Sequence, residues 1–165
     1  MKKILIPLAA VAFATPALAQ NAAEAPAPGA PGSIEWHNTQ QSALHSLTRA
    51  DGWHTLEGGI KFRRTAGDGT GPAPTVRDTV QVNYTGTFAD GEVFDSNADS
   101  APIEFPLNNL VRGWQIAIPY MGVGDTVEIA IPAELAYGLE GRGPIPGGAT
   151  LFFTIELVGI PSKGV

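Results

Sequence analysis

Thr79-Val80-Gln81-Val82-Asn83-Tyr84 puts Val80, Val82 and Tyr84 on one side of an extended chain and Gln81 and Asn83 on the other. Side chains alternate across a strand, so a period of two predicts a half-buried strand. The pattern returns downstream. Val127, Ile129 and Ile131 share a face within residues 125–131, and Leu151, Phe153, Ile155 and Leu157 do so within 150–157. Residues 59–64 and 103–107 are shorter candidates. Turn residues separate these runs: Gly67-Asp68-Gly69, Ala89-Asp90-Gly91, Gly122-Val123-Gly124-Asp125 and 144–148. Such alternation marks an antiparallel sheet with one solvated face. One segment breaks the period. Leu110, Trp114, Ala117 and Ile118 stand at i, i+4, i+7 and i+8, the stripe of a short helix that Pro119 should stop. One short helix against one antiparallel sheet is an α+β plan.

Upstream of the sheet, residues 34–57 read as an extension with a short helix. Ala43, Leu44 and Leu47 lie at helical spacing, Trp36 almost two turns earlier, and Asp51-Gly52 would end the helix. It packs on the main domain or binds a partner. Residues 20–33 are rich in Pro, Ala and Gly with almost no large apolar side chains, the composition of an extended linker. Residues 1–19 have the form of a signal peptide. Lys2-Lys3 is the basic start, an apolar stretch follows, and Ala17-Leu18-Ala19 offers the small-x-small cleavage site. The apolar run is short for a membrane span of about 20 residues. Export to the periplasm is expected where an outer membrane exists, and secretion otherwise.

Composition narrows the chemistry. The 165 residues fit one domain with appendages. Charged residues are 16% of the chain, and the only basic cluster is Lys61-Phe62-Arg63-Arg64, read as a solvated strand end, so no nucleic-acid partner is expected. Loss of Lys2 and Lys3 with the leader would take the net charge from −6 to −8, which disfavours anionic partners. With no cysteine, disulfides, thiolate nucleophiles and Cys-based zinc sites are excluded. His37, His45 and His54 lack metal-ligand spacing, and no HExxH or G-x-S-x-G motif occurs. Gly67-Asp68-Gly69-Thr70-Gly71 lacks the Lys-Ser/Thr of a phosphate-binding loop, and no two acidic residues stand out as a glycosidase pair. Tyr84, Phe94, Phe105, Trp114, Tyr137 and Phe153 instead concentrate in or beside the predicted sheet and helix. They are either core or the lining of a small-ligand pocket.

The motifs favour the pocket. In order come Val82-Asn83-Tyr84-Thr85-Gly86, Asp90-Gly91-Glu92-Val93-Phe94-Asp95-Ser96, Phe105-Pro106-Leu107, Val111-Arg112-Gly113-Trp114 and Met121-Gly122-Val123-Gly124. Ile131-Pro132-Ala133-Glu134-Leu135-Ala136-Tyr137-Gly138, Ile145-Pro146 and the run from Ala149 to Leu157 follow. Residues 58–160 thereby resemble an FKBP-type peptidyl-prolyl cis/trans isomerase domain, with 161–165 as a tail. The leader adds similarity to exported bacterial members of the Mip-like type.

The resemblance implies a five- or six-stranded antiparallel half-barrel wrapped around the short helix. It implies isomerisation of Xaa-Pro bonds in exported, unfolded or partly folded polypeptides, without metal or cofactor. Tyr84, Phe94, Asp95 and Tyr137 would be the catalytic groups, and Phe105, Leu110, Val111, Trp114, Ile145 and Phe153 would bind substrate. Trp114 would form the floor, and Tyr137 with the Val111 amide would bond carbonyls of the peptide or of a macrolide inhibitor. Relatives that dimerise use a much longer N-terminal arm, so a monomer is expected. The chain departs from the family pattern after Asp95-Ser96, where Ala98-Asp99-Ser100 offers no basic residue. Near Gly143, where a His or a small residue is usual, Arg142 stands close by, and Gly147 replaces a Pro and should loosen its loop. A peptide-binding module or chaperone using the same cleft with little catalysis is the alternative. An unrelated β-rich adhesion domain is the remaining reading.

Overall fold

The computed structural model describes residues 29–165. The leader, and the linker as far as residue 28, lie outside the described residues. Ser33 opens the first helix, α1 (Ile34–His45), where its hydroxyl accepts from the Trp36 amide at 3.1 Å. This supplies one of the bonds that a helix start leaves unmade. The helix ends earlier than residue 50. The Ser46 hydroxyl donates to the Ala43 carbonyl at 2.8 Å, drawing the last turn onto a side chain, and a separate 3-10 turn occupies Arg49–Asp51.

Seven strands follow: β1 (His54–Thr55), β2 (Lys61–Ala66), β3 (Thr79–Thr87), β4 (Val93–Ser96), β5 (Ile103–Pro106), β6 (Thr126–Ile131) and β7 (Leu151–Gly159). All pair antiparallel, in the order β1-β2-β6-β7-β3-β4. β3 is the hub. One edge runs along β7 with Tyr84 opposite Ile155. The other is shared between β5, with Val80 opposite Phe105, and β4, with Thr85 opposite Ser96. The two-residue β1 extends the expected five or six strands to seven.

The alternation read from the sequence is the alternation of burial. Leu151, Phe153, Ile155 and Leu157 point inward, as do Val127, Ile129 and Ile131 from β6 and Val80 and Val82 from β3. A second helix, α2 (Arg112–Ala117), closes this face with Gly113, Trp114 and Ala117 buried. It begins two residues after Leu110, which is extended (φ −88, ψ 169). Gln115 reaches back to donate to the Leu110 carbonyl at 2.8 Å and the Asn108 carbonyl at 3.2 Å, tying the approach segment to the helix. Pro119 falls in a 3-10 turn, Ile118–Tyr120, immediately after α2. Among the described residues no helix is long and apolar enough to cross a membrane.

The basic cluster on β2 is not simply a solvated strand end. The cross-strand register sets Arg63 opposite Glu128, and the two form an ion pair while the Arg63 guanidinium lies 4.7 Å from the Trp53 ring centre. Arg64 pairs with Asp125 at 3.0 Å. Asp125 itself precedes β6, buried to 2% exposure. It accepts from the Gly122 amide at 2.8 Å and the Gly69 amide at 3.0 Å, stitching two turns together.

Candidate active site

Between α2, the hub of the sheet and the loop after residue 136 lies an open cavity of about 250 Å³. Trp114 and Phe153, 4% and 7% exposed, form its floor. Their rings meet edge to face, with centres 5.3 Å apart and planes at 88°. Tyr84 stands at 85° to Trp114 with centres 5.5 Å apart, and Phe94 stands at 88° to Phe153 with centres 5.6 Å apart. Edge-to-face contact is the favoured arrangement of aromatic quadrupoles, so the rings hold one another in place. Phe105, Leu110, Val111 and Tyr137 complete the apolar wall.

The polar groups are few and placed at the edges. The Tyr84 hydroxyl donates to Asp95 Oδ2 at 2.7 Å. Burial pushes the Tyr84 phenol well above its ordinary range, and the bond to Asp95 pushes it further, so Tyr84 remains a donor. Among the described residues, neither the Val111 amide nor the Tyr137 hydroxyl has a protein hydrogen-bond partner. Arg142 lines the same cavity, its guanidinium 6.0 Å from the Tyr137 ring centre.

Nine of the ten residues singled out in the sequence line this cavity: Tyr84, Phe94, Asp95, Phe105, Leu110, Val111, Trp114, Tyr137 and Phe153. Ile145 does not. It is 9% exposed and packs in the core, while its backbone pairs with Arg142. Asn109 lines the cavity and was not singled out. Asn97 was missed as well. Only 4% exposed, it accepts from the Tyr84 amide at 2.7 Å and donates to the Val82 carbonyl at 3.1 Å, fixing the strand that carries Tyr84 beside Asp95. A lone Asn in a predicted loop reads as a turn residue, so no local signal distinguishes it. Among the described residues, Asp95 takes part in no ion pair.

Gly147 has a packing role in its loop. A Cβ there would run into the Leu139 carbonyl, so glycine permits a close backbone approach. Gly86 does the same for the floor, where a Cβ would lie 2.6 Å from Phe94 Cζ and 2.8 Å from Phe153 Cε1. Gly86→Ala is expected to displace both rings and lower stability by about 1–3 kcal/mol. Urea denaturation checks this, and a variant of wild-type stability would show that the rings are not held as described.

An antiparallel sheet closed on a short helix, with a ring-walled cleft between them, defines a fold class with one site. The chain belongs to the FKBP-type peptidyl-prolyl cis-trans isomerase family, whose sequence model matches residues 71–158. It is 36% identical over 129 residues to the FKBP-type peptidyl-prolyl cis-trans isomerase FkpA of Aeromonas hydrophila, covering 78% of this chain and 48% of that protein. It is 43% identical over 119 residues to the FKBP-type 22 kDa peptidyl-prolyl cis-trans isomerase of Escherichia coli (strain K12), covering 71% and 57%. The chain thus spans about half the length of these two relatives. A crystal structure of a peptidyl-prolyl cis-trans isomerase from Pseudomonas syringae pv. tomato superposes with a TM-score of 0.71 at 31% identity, covering 78% of this chain and 96% of that one.

Proposed function

We propose that this protein accelerates cis/trans rotation about Xaa-Pro bonds in exported polypeptides. The observation that carries the reading is the pair of unpartnered donors, the Val111 amide and the Tyr137 hydroxyl, beside a cavity floored by Trp114 and Phe153. The barrier of about 18–20 kcal/mol comes from amide resonance. Resonance separates charge, which water stabilises in the planar form. Twisting the bond removes that separation, so a dry aromatic cavity favours the twisted state over the planar one. The floor takes the proline ring, the two donors hold flanking carbonyls, and Asp95 with Tyr84 forms the polar wall beside the turning amide. Rotation breaks no covalent bond, so the residues present suffice. Ile145 supports the wall from the core.

The leader is cleaved after Ala19 and the mature protein acts in the periplasm, where clients refold after translocation. The slow uncatalysed rotation limits such refolding. The protein acts as a monomer, and a macrolide bearing suitably placed carbonyls competes for the same donors.

The test is catalysed exchange of an Xaa-Pro peptide by the purified protein. Asp95→Ala is expected to lower kcat/KM roughly tenfold, about 1.4 kcal/mol of transition-state stabilisation. A macrolide should abolish the remainder. No acceleration by a folded protein would overturn the enzyme reading and leave a peptide-binding module.

A further inference from the structure

The loop that carries Tyr137 and Arg142 is tied to itself. The Gly148 amide donates to the Gly138 carbonyl at 2.8 Å and closes a neck, while Arg142 and Ile145 exchange backbone bonds at 2.9 and 3.0 Å inside it. Immediately beyond the neck stands Thr150, one residue before β7 begins. Its partners come from α1 rather than from the sheet. The Thr150 amide donates to Gln40 Oε1 at 3.0 Å, and the Thr150 hydroxyl donates to the Gln40 carbonyl at 3.3 Å. Gln40 is 6% exposed and Thr150 1%, so both bonds are shielded from water. Trp36, one turn earlier on the same face of α1, covers the neck itself: a Cβ on Gly148 would lie 3.1 Å from Trp36 Cζ3.

We propose that α1 braces this loop, and that Gln40 is a positioning residue setting where Tyr137 and Arg142 stand in the cleft. The proposal rests on the reading of the cleft as a peptide site. A buried amide left without its acceptor costs its full desolvation penalty, so the neck is locked while Gln40 is docked. Besides that contact, the loop is held by its own neck, by Trp36 over Gly148 and by Ile145 in the core. Tyr137 binds substrate from the loop, whereas Trp114, Tyr84 and Asp95 stand on α2, β3 and β4. Loosening the loop should therefore weaken substrate binding more than it slows the turnover of bound substrate.

The experiment compares the full-length protein with Gln40→Met, which keeps length and volume but removes the acceptor, and with Thr39→Ala, an exposed control on the same helix. Amide hydrogen exchange is measured residue by residue, and KM and kcat are separated by NMR exchange analysis of an Xaa-Pro peptide. In Gln40→Met the amides of Thr150 and residues 138–148 should exchange roughly tenfold faster while the β6–β7 ladder keeps its protection. KM should rise several-fold with kcat within about twofold. Trp36→Leu carries the same expectation if Gln40→Met lowers protection across the sheet. Wild-type exchange in the loop overturns the brace, and faster exchange with unchanged KM overturns the positioning role. A wild-type protein with no isomerase activity would sink the functional reading alone, because the exchange comparison reads the brace without it.

Discussion

Asp125→Ala should cost about 2–3 kcal/mol, because it removes the buried acceptor of three donors at once and leaves the buried Gly122 amide without a partner. The Gly122 amide, the Gly69 amide and the Arg64 Nε all lose their acceptor, and the turn of residues 67–69 loses its attachment to the start of β6. Urea denaturation provides the measurement. A loss below about 1 kcal/mol would mean that water satisfies these donors and that the buried geometry is not maintained. The same carboxylate gives the protein an acid limit. Burial alone would raise the Asp125 carboxyl, but the Gly122 and Gly69 amides and Arg64 outweigh it and hold the group below its ordinary 3.8. Asp78 is lowered to about 2, mainly by the Thr75 amide and hydroxyl. A group depressed in the folded state contributes stability that is complete above its unfolded value and is lost as pH falls through the folded one. Stability should therefore be flat above about pH 4 from these two groups and erode toward pH 2. In Asp125→Ala the erosion should be shallower.

Trp114→Ala should abolish most of the activity and a large part of the stability together. The indole is 4% exposed and touches Tyr84 and Phe153 edge to face, so its removal leaves a cavity beneath the proposed proline site. Truncation of a buried Trp costs about 3–5 kcal/mol. The floor that would desolvate the amide goes with it, and kcat/KM should fall at least roughly a hundredfold, about 2.7 kcal/mol. Trp114→Phe separates the two effects. It retains an apolar floor and should recover most of the activity in a protein that remains less stable than wild type. Full activity in Trp114→Ala, measured where the variant is folded, would remove the indole from the mechanism.

Strands buried on one face were legible because their burial is written in the period of two. β3, β6 and β7 carry that period, and the structure buries the residues it selected except Tyr84, which is half-buried at the cavity. β4 and β1 were not legible as strands. β4 lies at the end of the sheet, and three of its four residues are exposed, so alternation has nothing to report. β1 has two residues, both exposed. The cavity was legible through its motifs, since nine of the chosen side chains converge there. Ile145 lies behind the cavity wall, and an apolar residue beside a site motif carries the same letter whether it faces the ligand or the core. Asn97, Gln40 and Asp125 escaped for a different reason. Each acts through hydrogen bonds to backbone distant in sequence: Gln40 reaches 110 residues to Thr150, and Asp125 reaches 56 to Gly69. Periodicity within a window cannot register such partners, and a polar residue of this kind looks like a loop residue until its burial is known.

The position of β7 decides the order in which the sheet can close. The last strand to be made is inserted between β6 and β3, so it joins the two halves of the sheet. Until residue 159 is available, β2 and β6 can pair on one side and β3, β4 and β5 on the other, but no strand ladder joins them, and each half has an open edge. Long-range pairing of this kind forms late. A chain that emerges from its N-terminus therefore cannot complete the sheet until nearly all of it is free. The strand order thus works as a delay timer, holding the sheet in two incomplete halves until its C-terminal strand arrives to join them.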